Sequence, residues 1–385
     1  MKKVCIISPM FLPVPAVLGG AIENLITVLI KQNEIQKEYS FTVYTIANPN
    51  MKDDYQYTTI KQIKLNPFLT FFQRIINKIF NIFKLEKYYD FHSFLYKKIA
   101  FMLKKEDCDF ILVENNMILY KTIYNKDKKF IFHLHNDLNS FDKTIEDYKF
   151  IEKTSYKILV VSNFLKKRLN LVKPSNKIEV FENVLDKEKY LNHQKDISLI
   201  YTLQQKYNII NHKVIGYVGR IEKEKGLLEL IKAFNEAKLE NTKLLLVCED
   251  FLNFKYKKGH ILKLQKEVEK NKENIVITGK IPYEEILNYY DLIDILVIPT
   301  IVEEAFGMVA LEGLALKKRM IYTESGALPD ILNNRVFVKV PLKDNFVLNL
   351  KKALESEIKK DILIDIPLKI NGYEEYYKKF KEVTE

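Results

Sequence analysis

The chain has 385 residues, of which 47% are hydrophobic and 29% are charged, so it is long enough for two or three domains and wholesale disorder is excluded. Its apolar runs all fall short of the roughly 18 uninterrupted residues that a membrane-spanning helix needs. The net charge of +11 favours anionic partners without choosing among nucleic acid, anionic lipid and phosphorylated small molecules.

Cysteine usage and the N-terminal residues indicate where the protein works. Cys5, Cys108 and Cys248 are too far apart for a disulfide framework or a ligand cluster. Two lysines precede an apolar stretch, as in a secretion signal, but Pro9 and Pro13 would interrupt the helix that such a signal forms. We therefore expect a cytoplasmic protein, with a peripheral position on the inner face of the membrane as the alternative.

The first half of the chain alternates between strand and helix patterns. KVCIISP is a short apolar run typical of a strand buried on both faces, AIENLITVLIKQ has helical spacing, and SFTVYTIA is rich in β-branched and aromatic residues. DFILVEN, KFIFHLH and YKILVVS continue the strands. This order predicts a doubly wound α/β sheet.

The order of elements restarts at HKVIGYVGRI, after a polar stretch at residues 187–211. LLELIKAFNEA and IPYEEILNYYDLI have helical patterns, while TKLLLVCED, NIVITGKI and DILVIPT read as strands. We therefore predict two Rossmann-like domains joined by a linker at 187–211. Ligands of such sheets bind beyond the carboxyl ends of the strands, so motifs that follow a strand are candidates for function.

Gly19 and Gly20 stand between the first strand and the helix predicted to begin near Ala21. Glycine lets backbone amides approach an anion, and the positive end of the helix dipole adds to the attraction. A phosphate contact and an ordinary turn are equally good interpretations of this pair by itself.

Arg220 and Lys225 follow the first strand of the second domain. A guanidinium and an ammonium at this point can neutralise a diphosphate, including charge that develops on a departing phosphate. The alternative is a solvated run of charges, because the residues from Glu222 to Lys225 alternate in sign.

Two carboxylates surround the start of a later helix, Glu304 in the loop after DILVIPT and Glu312 within the helix. Carboxylates suit sugar hydroxyls, including the vicinal pair of a ribose. The alternative is that Glu303 and Glu304 only favour the helix N-terminus, while Glu312 is exposed on the helix surface.

His133 and His135 share one face of a predicted strand, because strand side chains alternate. Two imidazoles could bind a metal ion, but Asp137 alone is thin support for further ligands. A single histidine that orients a substrate is the better interpretation, and His135 lies nearer the strand end. We therefore predict no metal site.

Taken together, these segments resemble the GT-B glycosyltransferases, and among them the retaining group called family 4. The resemblance covers most of the chain, in the order LPVPAVLGGAIENLI, FHLHND, VVSNFLKKRL, IEVFENVLD, GYVGRIEKEKGLLELIKAF and EEAFGMVALEGLA. It implies two Rossmann-like domains that face a central cleft, with a C-terminal helix crossing back to the first. The implied boundaries are an acceptor-binding domain at 1–190, a nucleotide-sugar-binding domain at 205–355 and a returning segment at 356–385.

The resemblance also implies roles for individual residues. Glu304 faces the donor sugar, Glu312 binds the ribose, and the backbone at Ile281 holds the base. The residues implied in catalysis are His135, Arg220, Lys225 and Glu304. The residues implied in substrate binding are Gly19, Gly20, Ile281, Phe306, Gly307, Met308 and Glu312.

The implied reaction moves a hexose from a nucleotide-diphosphate sugar to a hydroxyl of a glycan or lipid-linked acceptor, with the anomeric configuration retained. No cofactor and no metal ion is expected. Three positions depart from the family pattern: Val184 stands in place of a glycine, Arg319 in place of a proline, and LLLVCED lacks the usual glycine-rich continuation.

Residues 61–105 are basic and rich in aromatics, which is typical of a helix that lies on an anionic membrane surface. The alternative is that the aromatic residues pack within the first domain and the lysines are solvated. For the whole chain, the alternatives are a nucleotide-sugar 2-epimerase and a non-catalytic sugar-nucleotide-binding or coat-associated protein of the same fold. Nucleic acid is not expected as a partner, because no recognition motif accompanies the charge.

Overall fold

The computed structural model forms two compact units, Met1–Asn183 with Tyr373–Glu385, and Val184–Gly372. The described residues are 1–64, 93–138, 144–254, 259–332, 337–360 and 370–385. The break at Asn183 comes earlier than the predicted domain end at residue 190, and the return to the first unit begins at Tyr373, later than residue 356.

The first unit is built around a seven-stranded parallel sheet with the order β3-β2-β1-β4-β5-β6-β7. Its strands are β1 Lys2–Ile7, β2 Tyr39–Ile46, β3 Thr58–Ile63, β4 Phe110–Glu114, β5 Lys129–Leu134, β6 Lys157–Val160 and β7 Ile178–Val180. Its helices before the second unit are α1 Ala21–Gln36, α2 Ser93–Leu103, α3 Met117–Ile123, α4 Thr144–Thr154 and α5 Asn163–Val172. The central strand β1 buries Val4, Cys5, Ile6 and Ile7, as its continuous apolar run predicts.

The second unit contains a six-stranded parallel sheet with the order β10-β9-β8-β11-β12-β13. Its strands are β8 Lys213–Val218, β9 Thr242–Val247, β10 Ile275–Ile277, β11 Ile295–Ile298, β12 Arg319–Glu324 and β13 Val338–Pro341. Its helices are α6 Lys187–Leu191, α7 Ile197–Lys206, α8 Leu227–Ala237, α9 His260–Glu269, α10 Ile286–Asp291, α11 Met308–Ala315, α12 Leu328–Ile331 and α13 Phe346–Glu357.

The strands predicted from the sequence are confirmed, whereas β3, β7, β12 and β13 are not predicted. Three of these four, β3, β7 and β13, come last in the strand order of their sheet, so among the described strands each has a neighbour on one side only. Edge strands carry more polar residues and are shorter, so their apolar pattern is weak.

The polar stretch at 187–211, predicted as a linker, holds the two helices α6 and α7 and belongs to the second unit. Asp186 caps α6 by accepting a hydrogen bond from Lys189 N at 3.1 Å, and Asp196 caps α7 by accepting one from Leu199 N at 3.0 Å. An aspartate before a short helix satisfies a backbone N–H that the helix leaves free. The polar residues in and before this stretch therefore include the caps of two short helices.

The C-terminal helix α14, Tyr373–Thr384, packs on the first unit. Phe380 is fully buried, and its ring lies 5.5 Å from the ring of Tyr39. Tyr377 Oη donates a hydrogen bond to Asn33 Oδ1 at 2.9 Å. The aromatic face of this otherwise charged helix therefore packs it against the first unit.

Candidate active site

The loop between β8 and α8 carries Arg220 and Lys225. Tyr217 Oη donates to the carbonyl oxygen of Arg220 at 2.5 Å, which holds the start of this loop. Arg220 is exposed and its guanidinium pairs with Glu222 at 2.7 Å. The solvated-charge interpretation therefore describes Arg220 in this conformation, whereas Lys225 is half-buried and points elsewhere.

The loop after β11 packs directly against the Lys225 loop. The carbonyl oxygen of Glu224 accepts hydrogen bonds from Ile301 N at 2.9 Å and from Thr300 Oγ1 at 3.0 Å. Gly226 has a φ of 68°, and a Cβ there would lie 1.8 Å from the carbonyl oxygen of Pro299. Only glycine fits at this contact, so the close approach of the two loops requires Gly226.

This contact brings together two residues that are 79 positions apart in sequence. Lys225 Nζ donates to Glu304 Oε2 at 2.7 Å, and both side chains are partly exposed. A cation suited to a diphosphate thus lies beside a carboxylate suited to sugar hydroxyls. The tertiary structure joins the two sharpest motifs of the sequence in one place.

A third loop, after β12, holds Glu304 from the other side, and sequence reasoning missed it. Ala327 N donates to the carbonyl oxygen of Glu304 at 2.8 Å, and Gly326 N donates to Glu303 Oε2 at 2.5 Å. Gly326 has a φ of 55°, and a Cβ there would lie 2.1 Å from the carbonyl oxygen of Glu304. The sequence signal was Gly326 itself, in TESGALP.

Glu312 lies in α11 and is buried, so the interpretation that it is exposed on the helix surface is wrong. Tyr290 Oη donates to Glu312 Oε2 at 2.5 Å. Burial raises the pKa of Glu312 to about 7, although hydrogen bonds from Tyr290 and Tyr190 oppose the rise. Glu312 can therefore change its protonation state near neutral pH.

Tyrosines connect Glu312 to the loop that contains Ile281. Ile281 is half-buried in the segment after β10. Close to it in sequence, Tyr283 is 47% exposed, and its hydroxyl lies 3.4 Å from that of Tyr190. Lys189 Nζ lies 4.5 Å from the centre of the Tyr283 ring, which is a cation–π contact. Sequence reasoning singled out none of these aromatic residues, because tyrosine is common throughout the chain.

The start of α11 holds the three backbone positions implied in sugar binding. Gly307 has a φ of 107° and caps the helix, Phe306 is buried and Met308 is the first helical residue. The first N–H groups of a helix have no partner within the helix. This end of α11 can therefore donate backbone hydrogen bonds to an oxygen-rich ligand.

In the first unit, Gly19 and Gly20 precede α1 with φ values of 79° and 104°. A Cβ on Gly20 would lie 2.1 Å from Glu23 Oε2, whereas one on Gly19 would meet no atom of the described residues within 4 Å. Burial raises the pKa of Glu23, and the nearby Glu114 contributes to the rise. The glycine pair thus adjoins a carboxyl group, which sequence reasoning did not consider.

His135 lies just beyond the end of β5 and is buried with His133 and Glu114. Glu114 Oε2 is 2.8 Å from His135 Nε2 and 3.0 Å from His133 Nδ1. Asp137 instead pairs with Arg168 at 3.2 Å. The partner that sequence reasoning missed is Glu114, which the strand register places directly opposite His133.

Within the described parts of the chain, Glu114, His133 and His135 are the one group of three acidic, histidine or cysteine residues arranged closely enough to hold a metal ion. Most of the predicted membrane segment 61–105 lies outside the described residues. No described helix combines the length and hydropathy of a membrane span.

The match to a known protein family falls within the second unit. Residues 202–367 match the family described as glycosyl transferases group 1. This range contains Arg220, Lys225, Glu304 and Glu312, together with the loops that join them. Gly19, Gly20 and His135 lie before it.

Two curated relatives carry names that refer to lipopolysaccharide and to capsular polysaccharide biosynthesis. The chain is 28% identical over 258 residues to lipopolysaccharide 1,2-N-acetylglucosaminetransferase of Salmonella typhimurium, a match that covers 63% of each chain. It is 32% identical over 189 residues to the capsular polysaccharide biosynthesis glycosyltransferase CapM of Staphylococcus aureus, covering 46% of each. The matches thus span less than two thirds of either relative.

The whole chain shares its fold with solved structures. Anabaena HepE, solved in complex with UDP and glucose, superposes with a TM-score of 0.67 at 14% identity, covering 99% of each chain. The α/β fold with two Rossmann-like parallel sheets, predicted from the sequence, is confirmed.

Proposed function

We propose that this chain, whose residues 202–367 match the family described as glycosyl transferases group 1, is a retaining glycosyltransferase of family 4. It would transfer a hexose from a nucleotide-diphosphate sugar to a hydroxyl of a glycan or lipid-linked acceptor in bacterial surface polysaccharide synthesis. The observation that carries the proposal is the 2.7 Å contact between Lys225 Nζ and Glu304 Oε2. The two polysaccharide relatives support the class of acceptor.

The donor would bind across the three joined loops of the second unit. Its diphosphate would replace Glu304 as the ion-pair partner of Lys225, and the exposed Arg220 would turn towards the diphosphate. Glu304 would then accept hydrogen bonds from hydroxyls of the hexose. Glu312 would accept those of the ribose in place of the tyrosine hydroxyls, and the backbone at Ile281 would hold the base.

The transfer step breaks the bond between the anomeric carbon and the diphosphate oxygen. The acceptor hydroxyl forms the new bond to that carbon on the same face, and its proton passes to the departing diphosphate oxygen. Arg220 and Lys225 stabilise the negative charge that develops on the diphosphate. The proposal needs no metal ion, because these two side chains supply the positive charge.

The test is a panel of nucleotide sugars screened for thermal stabilisation and for slow donor hydrolysis. Lys225→Ala is expected to weaken binding of the nucleoside diphosphate by about 10-fold to 100-fold, because it removes a charge-assisted contact. Lys223→Ala is the matched control, since Lys223 is an exposed lysine of the same loop. Glu304→Gln is expected to slow hydrolysis while leaving the affinity for free nucleoside diphosphate unchanged or higher.

If neither a donor nor a free nucleoside diphosphate binds, the proposed function fails. Binding without hydrolysis or transfer would favour the non-catalytic sugar-nucleotide-binding alternative. We propose the cytoplasm as the site of action, with contact to the inner membrane face where the acceptor is lipid-linked.

A further inference from the structure

Two tyrosine hydroxyls meet on the carboxyl group of Glu312, and the two are not equivalent. Tyr290 Oη, carried by α10, donates to Glu312 Oε2 at 2.5 Å. Tyr190, carried by α6, also makes a side-chain hydrogen bond to Glu312. All three residues belong to the second unit. The donor contacts proposed above do not explain why two tyrosines cover one carboxyl group.

Tyr290 lies on the enclosed side of this carboxyl group. Its side chain is fully buried, whereas Glu312 retains 8% exposure. A ligand that arrives from solvent therefore reaches the exposed part of Glu312 while Tyr290 stays covered. Moving Tyr290 away would open the closely packed interior around α10, which is costly. We therefore expect the hydrogen bond from Tyr290 to persist when a ligand binds.

Tyr190 has a second partner, which lies nearer to solvent. Its hydroxyl is 3.4 Å from that of Tyr283, and Tyr283 is exposed. A hydroxyl has a single proton to donate, so Tyr190 cannot donate to Glu312 and to Tyr283 at the same time. Rotation about the C–O bond, with a small shift of the ring, moves this donation from Glu312 to Tyr283. Unlike Tyr290, Tyr190 can therefore leave the carboxylate without losing a hydrogen bond.

Lys189 holds Tyr283 in place to receive that hydrogen bond. Its Nζ donates to the carbonyl oxygen of Tyr283 at 3.2 Å and lies 4.5 Å from the centre of the Tyr283 ring. Lys189 directly precedes Tyr190, so the short helix α6 carries both the tyrosine that moves and the lysine that fixes its new partner. Tyr283 follows closely after Ile281, so the exchange takes place beside the backbone proposed to hold the base.

The charge on Glu312 decides how many hydroxyls it accepts. Burial raises the pKa of Glu312 to about 7, while the hydroxyls of Tyr290 and Tyr190 and the charge of Lys189 oppose the rise. Tyr283 faces the same group, since burial raises the pKa of Tyr283 and the charge of Glu312 adds to the rise. An ionised carboxylate offers about four lone-pair positions on its two oxygens. It can therefore keep the hydrogen bond from Tyr290 and accept both hydroxyls of a ribose.

We propose that Tyr290 is a positioning residue that holds the Glu312 carboxylate for the ribose, and that the Tyr190 hydroxyl occupies the place of a ribose hydroxyl until the nucleotide binds. The ribose then replaces Tyr190 on the carboxylate, the Tyr190 hydroxyl turns to Tyr283, and Tyr290 keeps its hydrogen bond. This inference rests on the proposed function, because the ribose is that of the nucleotide-sugar donor. The alternative, two tyrosines that only pack around a buried carboxyl group, predicts that both hydroxyls support nucleotide binding alike.

The probes are uridine, adenosine and guanosine diphosphates, each compared with its 2′,3′-dideoxy form, which lacks both ribose hydroxyls. Isothermal titration calorimetry gives, for each protein, the ratio of the Kd of the dideoxy form to the Kd of the ribose form. The ratio isolates the hydroxyls, because base and diphosphate are the same in each pair and an unfolded fraction of a variant affects both measurements alike. We expect the unmutated protein to bind the ribose form at least about tenfold more tightly.

Two conservative substitutions should change this ratio in opposite directions at about pH 9, where Glu312 is ionised. Tyr190→Phe should raise the ratio about threefold or more, because the ribose no longer displaces a hydroxyl. Tyr290→Phe should lower it about tenfold, because the carboxylate loses the hydrogen bond that orients it. Tyr289→Phe is the matched control in the same helix, since the Tyr289 hydroxyl lies 3.4 Å from that of Tyr207. It should leave the ratio unchanged.

The pH profile of the ratio distinguishes positioning from packing. A protonated carboxyl group cannot accept both ribose hydroxyls and the hydrogen bond from Tyr290, so the ratio of the unmutated protein should rise from about pH 6 to about pH 8. Removing the Tyr290 hydroxyl raises the pKa of Glu312 further, because that hydrogen bond favours the ionised form. The rise should therefore move to higher pH in Tyr290→Phe and keep its position in Tyr289→Phe.

The outcomes separate this inference from the proposed function. A ratio that fails to rise in Tyr190→Phe overturns the exchange of hydroxyls. A ratio that Tyr290→Phe changes neither in size nor in pH profile overturns the positioning role. Equal binding of the ribose and dideoxy forms by the unmutated protein overturns both, while hydrolysis of a donor would still support the proposed function. An unmutated protein that binds none of the nucleoside diphosphates defeats the proposed function and this inference with it.

Discussion

Glu312 shows how burial changes the chemistry of a single side chain. Its carboxyl sits among tyrosine hydroxyls, and burial raises its pKa to about 7. The same residue on a helix surface would be ionised throughout the physiological range. In the sequence Glu312 is simply one of two carboxylates, but in the folded protein it titrates near neutral pH.

Glu312 should make the stability of the second unit depend on pH. The folded pKa is about 7, above the value in the unfolded chain, so the folded state binds more protons between roughly pH 4.5 and pH 7. The free energy of unfolding should therefore fall by on the order of 3 kcal/mol as pH rises through this window, and then level off.

Urea unfolding of the unmutated protein and of Glu312→Gln, followed by circular dichroism from pH 5 to pH 8, isolates this contribution. The difference in unfolding free energy between the two proteins should shift in favour of Glu312→Gln as pH rises. Parallel pH profiles would show that Glu312 is ionised in the folded state throughout.

At the scale of elements, the donor site depends on three loops that dock on one another at the carboxyl ends of β8, β11 and β12. Gly226 and Gly326 sit where these loops touch, each against a backbone oxygen. The helices and strands define the sheet, but the contact between Lys225 and Glu304 exists only because the loops pack this closely. The two glycines at which the loops touch are therefore as important for the donor site as its charged residues.

Gly226→Ala should disrupt this docking, and Gly279→Ala provides a matched control. Both glycines have a positive φ, 68° and 82°, so alanine strains the backbone at each. At Gly226 the new Cβ would also meet a backbone atom, the oxygen of Pro299 at 1.8 Å, whereas at Gly279 it would meet no atom of the described residues within 4 Å. We expect Gly226→Ala to lower the free energy of unfolding by about 2–3 kcal/mol more than Gly279→Ala.

Urea unfolding of both variants, with nucleoside diphosphate binding measured alongside, checks this prediction. Binding should weaken in Gly226→Ala and stay unchanged in Gly279→Ala. Equal destabilisation by the two substitutions would mean that the loops can separate without cost.

At the scale of the whole molecule, the net charge of +11 is the property that can be read most directly from the sequence. It attracts nucleotide sugars and anionic membranes alike, because both carry negative charge. Within the described part of segment 61–105, four lysines on and just after α2 are exposed: Lys97, Lys98, Lys104 and Lys105. They make the membrane proposal testable.

We expect the protein to co-sediment with vesicles that contain phosphatidylglycerol at about 50 mM salt and to be released near 500 mM, because salt screens the attraction. Replacing the four lysines of α2 and its C-terminal end by glutamine should weaken binding more than replacing four exposed lysines of the second unit. The control set with equal charge loss is Lys263, Lys266, Lys270 and Lys272. If both variants lose vesicle binding equally, the total charge of the protein drives its association with the vesicles, and the surface around α2 has no special role.

The sequence alone determined the fold class and the main candidates for function. Central strands such as β1 and β8 are continuous apolar runs because both of their faces are buried, so local pattern suffices to predict them. Glycines and charges that directly follow such strands stand out for the same reason. The predicted positions of Lys225, Glu304 and His135 at strand ends follow from that pattern alone.

Tertiary structure alone decided which of these residues meet and in what state of charge. The contact of Lys225 with Glu304, the tyrosines around Glu312 and the opposition of Glu114 to His133 join residues that are distant in sequence. Strand register and loop docking set these contacts, and neither leaves a local periodic signal. Burial, which moves the pKa of Glu312 and of His135 in opposite directions, is likewise a property of the packed molecule, because it depends on every element that covers the group.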